Sequence, residues 1–179
     1  MAEKKLVIDQ LRLNYSGLFE VNELFKAIDA WFYEKGYDKY EKKNEEQVLP
    51  TGREIILELR PWKKTTDYAK NEIRIRIFMH GVKDVDVEKE GAKVKMNQGE
   101  IQVIFDGYLE TDYEHKRETK PLFYFFRTLF DKYIYKGYTA KFEQNLIKDV
   151  HDLHTRIKSF LNMYRYVTPS VPPPPEFEH

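Results

Sequence analysis

The stretch Glu72-Ile73-Arg74-Ile75-Arg76-Ile77-Phe78-Met79 sets Ile73, Ile75, Ile77 and Met79 on one side and Arg74 and Arg76 on the other. A period of two marks a half-buried strand, with one face on a core and one in water. Arg53–Trp62 repeats the pattern, with Ile55, Leu57 and Leu59 on one face and Ile56, Glu58 and Arg60 on the other. Two amphipathic segments this close in the chain specify neighbouring antiparallel strands, and the remaining elements are read outward from them.

Downstream, Lys83–Glu88, Lys93–Met96 and Glu100–Leu109 read as further strands. Lys89-Glu90-Gly91 and Asn97-Gln98-Gly99 carry the glycine that a tight antiparallel turn needs, which predicts two hairpins. Upstream, Tyr40–Leu49 is polar and reads as an edge strand ended by a Pro50-Thr51-Gly52 turn. Lys63–Lys70 is a charged connection. At the start, Leu6, Ile8, Leu11 and Leu13 alternate with polar residues. The three-residue step from Ile8 to Leu11 predicts a bulge or a strand regular over only half its length. Asn14–Gly17 reads as a turn.

Helical spacing appears in three places. Val21, Leu24, Phe25, Ile28, Trp31 and Phe32 recur at threes and fours, and Gly36 stands where a helix C-cap belongs. Lys120–Lys136 is densely aromatic, with Pro121 suited to a first turn and Gly137 to an end. Its apolar residues, among them Phe123, Phe126 and Phe130, wrap more than one face, as in a helix covered on several sides. Phe142, Leu146, Val150, Leu153, Ile157, Phe160 and Tyr164 form a narrow stripe on a long last helix. Thr168–His179 is proline-rich and predicts an extended tail.

The expectation is an α+β fold: an antiparallel meander of about six strands packed on helices, in the order strand, helix, meander, helix, long helix. Residues 1–167 form a single domain and 168–179 the tail. This order resembles the helix-grip arrangement of START-like domains, in which a curved sheet wraps the last helix. The resemblance spans residues 5–165 as an order of elements. It departs in having one long first helix where that family has two short ones, and in the additional aromatic helix. No motif carries over. The resemblance implies an apolar small molecule held between the sheet and the C-terminal helix.

Composition excludes several chemistries. The chain has no cysteine, which removes disulfides, thiol nucleophiles, iron–sulfur clusters and cysteine-bound zinc. Its 30 basic and 30 acidic residues balance, so no global field draws it to nucleic acid. A 34% charged content without cysteine matches the ion-pair-rich composition of thermophile proteins. No run approaches the ~20 apolar residues of a membrane span, and none near the start suits a signal peptide. The expected location is the cytoplasm. The eight glycines are scattered, so neither a phosphate-cradling loop nor a dinucleotide fingerprint is present, and no cofactor is implied. Ser16, Ser159 and Ser170 lack a nucleophile-elbow context.

The ionisable candidates are few. His151 and His154 lie three apart on the last helix, but His154 flanks the apolar stripe while His151 turns to the polar side. No third ligand is indicated, so no metal site is assigned. A proton-transfer role for His80 or His115 needs a cleft and an orienting partner, and the local sequence shows neither. Asp106 interrupts an apolar run beside Gly107, either as a bulge or edge device or as a charge facing a cavity. Asp84, Asp86 and Glu88 alternate as on a solvated face. Lys63, Lys64, Arg74, Arg76, Lys93 and Lys95 suit a basic sheet face and Trp62 and Tyr68 base stacking, but the acids Glu54, Glu58, Glu72, Asp84 and Asp86 between them read as cross-strand ion pairs.

Two functions follow. One is a non-enzymatic structural or protein-interaction domain, a homodimer through its C-terminal helices. The other is a binding module for an apolar small molecule, with Asp106, Tyr108, Phe126, Phe130 and His154 around the pocket. No catalytic residue is assigned.

Overall fold

The computed structural model describes residues 3–66, 69–89, 92–111 and 135–164. The aromatic segment at residues 120–134, which contains Phe126 and Phe130, and the proline-rich tail lie outside the described residues. The elements are β1 (Glu3–Phe19), α1 (Val21–Lys35), β2 (Glu41–Leu49), β3 (Gly52–Leu59), β4 (Trp62–Lys64), β5 (Ala69–Lys89), β6 (Ala92–Thr111) and α2 (Tyr135–Asn162). The fold is α+β, a six-stranded antiparallel sheet with helices on one face. Strand order is β1-β6-β5-β3-β2, with β4 paired to β5.

The alternation read from the sequence sets the faces. Ile55, Leu57, Leu59, Ile73, Ile75, Ile77, Met79, Val103 and Phe105 are buried under the helices, while Glu58, Arg60, Arg74 and Arg76 lie on the outer face. Both helices bury one stripe. In α1 it is Val21, Leu24, Ile28, Trp31 and Phe32, and in α2 it is Leu146, Val150, Leu153, Ile157 and Leu161. The α2 stripe is therefore consumed within the chain, against the sheet and α1. Each leucine buried there is worth roughly 2–5 kcal/mol against truncation to alanine.

The ends of α1 follow from named residues. Gly36 adopts the left-handed conformation (φ 68°), its N–H reaching the Tyr33 carbonyl and that of Tyr37 the Phe32 carbonyl. At the other end Glu20 offers no side-chain cap. Asn97 supplies one from β6 by accepting the Val21 N–H at 3.1 Å, and it donates to Asp84 at 2.7 Å.

That role corrects two turns expected from the sequence. Asn97-Gln98-Gly99 is no hairpin, and Asn14–Gly17 is no turn, because β1 and β6 run straight through them in register from Leu11↔Phe105 to Phe19↔Asn97. Lys83–Glu88 likewise continues the strand that begins at Ala69, and only the hairpin from Lys89 to Ala92 remains. The glycines serve another purpose. Gly17 stands opposite Gly99, which meets the bulge between His80 and Lys83, and Gly81 in that bulge abuts Gly52. A Cβ on Gly99 would lie 2.9 Å from the His80 carbonyl oxygen, and one on Gly52 2.6 Å from the Gly81 carbonyl carbon. Gly99 and Gly52 are glycines of close backbone approach, and the four glycines align across four strands.

Candidate functional site

Phe126 and Phe130 lie outside the described residues, and the three described candidates, Asp106, Tyr108 and His154, do not converge. Asp106 and Tyr108 point to the outer face, whereas His154 lies on α2 against the inner face. Asp106 is buried and clamps the β1 bulge: it accepts the Gln10 N–H at 2.9 Å and pairs with Arg76 at 2.8 Å. Tyr108 lies beneath the Lys4 ammonium at 4.5 Å. His154 meets the edge of Phe105 at 5.8 Å and hydrogen-bonds the Arg12 main chain. Its imidazole is held below its ordinary value, first by burial and then by the nearby Lys158 and His151 charges. Among the described residues, no group of three His, Asp or Glu side chains is placed to hold a metal ion.

The outer face is an ion-pair lattice. Glu58 receives Arg60 and Arg74 at 2.9 and 3.0 Å, Glu72 receives Lys4 at 2.9 Å, and Glu110 receives Lys70 at 2.9 Å. This opposite-charge pairing accounts for the interleaved acids and bases, as the sequence pattern indicated. A second polar cluster joins the helices. The Trp31 indole donates to Asp152 at 2.8 Å, Lys35 pairs with the same carboxylate at 3.0 Å, and the Tyr37 hydroxyl donates to Asp149 at 2.9 Å. Burial, then the Asp149 charge, pushes the Tyr37 phenol well up. These bonds fix α2 against α1 and hence against the sheet.

The feature the sequence did not show lies along the free edge of β1. That strand pairs with β6 on one side, and among the described residues no strand pairs with its other side. Two clefts flank its middle, one on each face. The inner cleft, about 250 Å3, lies between β1 and the end of α2, with Leu13, Tyr15, Leu161, Asn162 and Lys158 around it. The outer cleft, about 420 Å3, is lined by Asn14, Ser16, Gln102, Glu100 and His80. Ser16, Glu100 and His80 form one row across three strands, and Glu54 completes it by hydrogen-bonding His80 Nδ1. Glu54 also accepts the Gly81 N–H at 3.0 Å. That backbone contact, then His80, holds its carboxyl below the usual glutamate value. His80 thus has the cleft and the orienting partner that its local sequence withheld. Both come from non-local pairing across the bulge.

Among the described residues the β1 edge is closed at two points. In an antiparallel edge strand every second residue turns its N–H and C=O away from the sheet. The Arg12 main chain is met by His154, and the Leu18 carbonyl by the Tyr15 hydroxyl at 2.7 Å. Both capped residues have even numbers, so Asn14 and Ser16 between them carry the outward pairs. The segment Leu13–Phe19 contains no charge, proline or bulge, the devices that usually protect an edge. At the opposite edge, β2 is exposed throughout and carries Lys and Glu of both signs.

No family model, curated protein or solved structure matches this chain. No helix among the described residues is long and apolar enough to cross a membrane.

Proposed function

We propose that this chain is a non-enzymatic protein-interaction domain that takes an extended segment of a partner as an added strand along β1. The observation that supports the reading is the main chain of Asn14 and Ser16, uncapped among the described residues, with a cleft on each side. Strand addition draws affinity from main-chain hydrogen bonds and specificity from pockets that receive alternate side chains.

The test is selection of displayed random heptapeptides on the immobilised full chain, followed by binding to a Ser16→Pro variant. Proline removes one outward N–H and leaves the β6 ladder intact, a substitution that edges tolerate. Binding lost in S16P, with far-UV circular dichroism unchanged, supports the reading. Selected peptides that bind S16P and a second variant, N14P, as well as the parent would sink it.

A second reading places an apolar small molecule with an acid group in the inner cleft, because Lys158 is the one charged side chain among the described residues around it. Its volume of about 250 Å3 falls below the roughly 300–1,000 Å3 of common ligand pockets. The core behind it is filled by Phe105, Leu153 and Ile157. Strand addition therefore takes precedence. A fluorescent fatty-acid analogue displaced by Lys158→Ala but not by S16P would reverse that order.

A further inference from the structure

The two clefts beside β1 differ in charge, and we infer that the partner strand is an apolar-basic-apolar segment whose basic residue faces Glu100. The inference rests on the strand-addition reading and extends it to the chemistry of the partner. Adjacent side chains of an added strand point to opposite faces, so one enters the outer cleft and its two neighbours the inner one.

Among the described residues, the outer cleft has no lysine or arginine in its lining. Glu100 is exposed there and makes no ion pair among the described residues, while the Glu54 carboxylate stands directly behind His80. A lysine or arginine head entering this cleft meets Glu100, the Asn14 and Gln102 amides and the Ser16 hydroxyl, all of which can accept its hydrogen bonds. An acidic residue would meet like charge.

The inner cleft reverses the preference. Leu13 and Leu161 supply apolar wall, and Lys158, also without an ion pair among the described residues, repels a basic head. A strand of alternating character slides by one residue at little main-chain cost, and such a slip exchanges its faces. Opposite charges on the two sides of β1 make one phase favourable and the slipped one unfavourable. They fix the register as well as the partner class.

The experiment uses three end-capped fluorescent pentapeptides, Thr-Leu-Xaa-Leu-Thr with lysine, threonine or glutamate at the centre. Fluorescence anisotropy on the full chain at low salt reads their affinities. The expected order is lysine, then threonine, then glutamate. The first exceeds the last about tenfold, since attraction is exchanged for repulsion at a half-exposed site. Glu100→Gln should bring that ratio close to unity while leaving the threonine peptide unchanged. Salt at about 1 M should compress it in the parent.

Equal affinities for all three peptides, lost together in S16P, would overturn the basic partner while leaving strand addition standing. Preference for the glutamate peptide would overturn it likewise. Binding of none of the three, with the Asn14 and Ser16 amide resonances unmoved in a titration, would overturn this partner class and count against the strand-addition reading beneath it. Lysine-peptide binding that survives S16P would separate the charge effect from the edge and overturn the inference as stated.

Discussion

Gly17 and Gly99 face each other across the β1–β6 ladder, and neither is in a turn. Gly99 lies against the His80 carbonyl where β5 bulges, and Gly17 has a φ of 150° that few side chains tolerate. Gly99→Ala should destabilise the fold by about 1–3 kcal/mol, because its Cβ would press on backbone and force strand displacement. Urea unfolding checks this, with Gly36→Ala as comparison. Gly36 has nothing within 4 Å of an added Cβ, so its cost is the left-handed φ alone.

The same glycines mark the limit of what a single sequence shows. Face assignment was legible in β3 and β5, because alternation reports burial directly: Ile55, Leu57, Leu59, Ile73, Ile75, Ile77 and Met79 are all inside, whereas Leu6 in β1 is exposed. The slip between Ile8 and Leu11 was legible as well, and it is one of the two bulges of β1. Strand length was not. Asn97 and Gly99 have turn chemistry, but Asn97 spends its side chain on capping α1, and Gly99 makes room for a neighbouring strand. Both roles depend on residues far away in the chain. The surroundings of the candidate residues were hidden for a related reason. For Asp106 the sequence left open a bulge or edge device and a charge facing a cavity, and its bond to the Gln10 N–H at the β1 bulge supplies the first. His80 looked alone, because Glu54 reaches it only through the pairing of β3 with β5.

Asp106 holds two strands at once, and its variants should separate the two bonds. Asp106→Ala removes the acceptor of the Gln10 N–H and leaves the Arg76 charge half-buried without its carboxylate, at a cost of about 2–4 kcal/mol. Asp106→Asn keeps an acceptor for Gln10 and loses only the charge, so it should cost less. Thermal unfolding of the two variants, with Arg76→Met and the double variants, gives the coupling. Equal destabilisation by D106A and D106N would place the whole effect in the ion pair.

His154 should make stability depend on pH just above the range where carboxylates titrate. Burial, Lys158 and His151 depress its value below the ordinary 6.5, so the folded chain binds this proton less readily than the unfolded chain. Its contribution is complete above pH 6.5 and is lost as pH falls below that value. His154→Gln keeps a donor for the Arg12 main chain but does not titrate, so the slope of stability just below pH 6.5 should flatten. A slope unchanged in H154Q would assign that proton to another histidine.

Below that range three carboxyls act together. Asp152 is depressed by the Trp31 indole and then Lys35, and Glu54 by the Gly81 N–H and then His80. Burial works against Glu58, but its bonds to Arg60 and Arg74 outweigh it. Each lowered value means stability that is present above the ordinary 4.5 for glutamate or 3.8 for aspartate and is lost as pH falls further. Asp152 can be followed on its own, because the chain has two tryptophans and Trp62→Phe leaves only Trp31 to report. In that background, Trp31 emission should shift on acidification before the global transition, as the carboxylate that accepts its indole N–H is protonated. Asp152→Asn should abolish the early shift and make the acid limb of the stability curve shallower. An early shift that persists in D152N would overturn the assignment to Asp152.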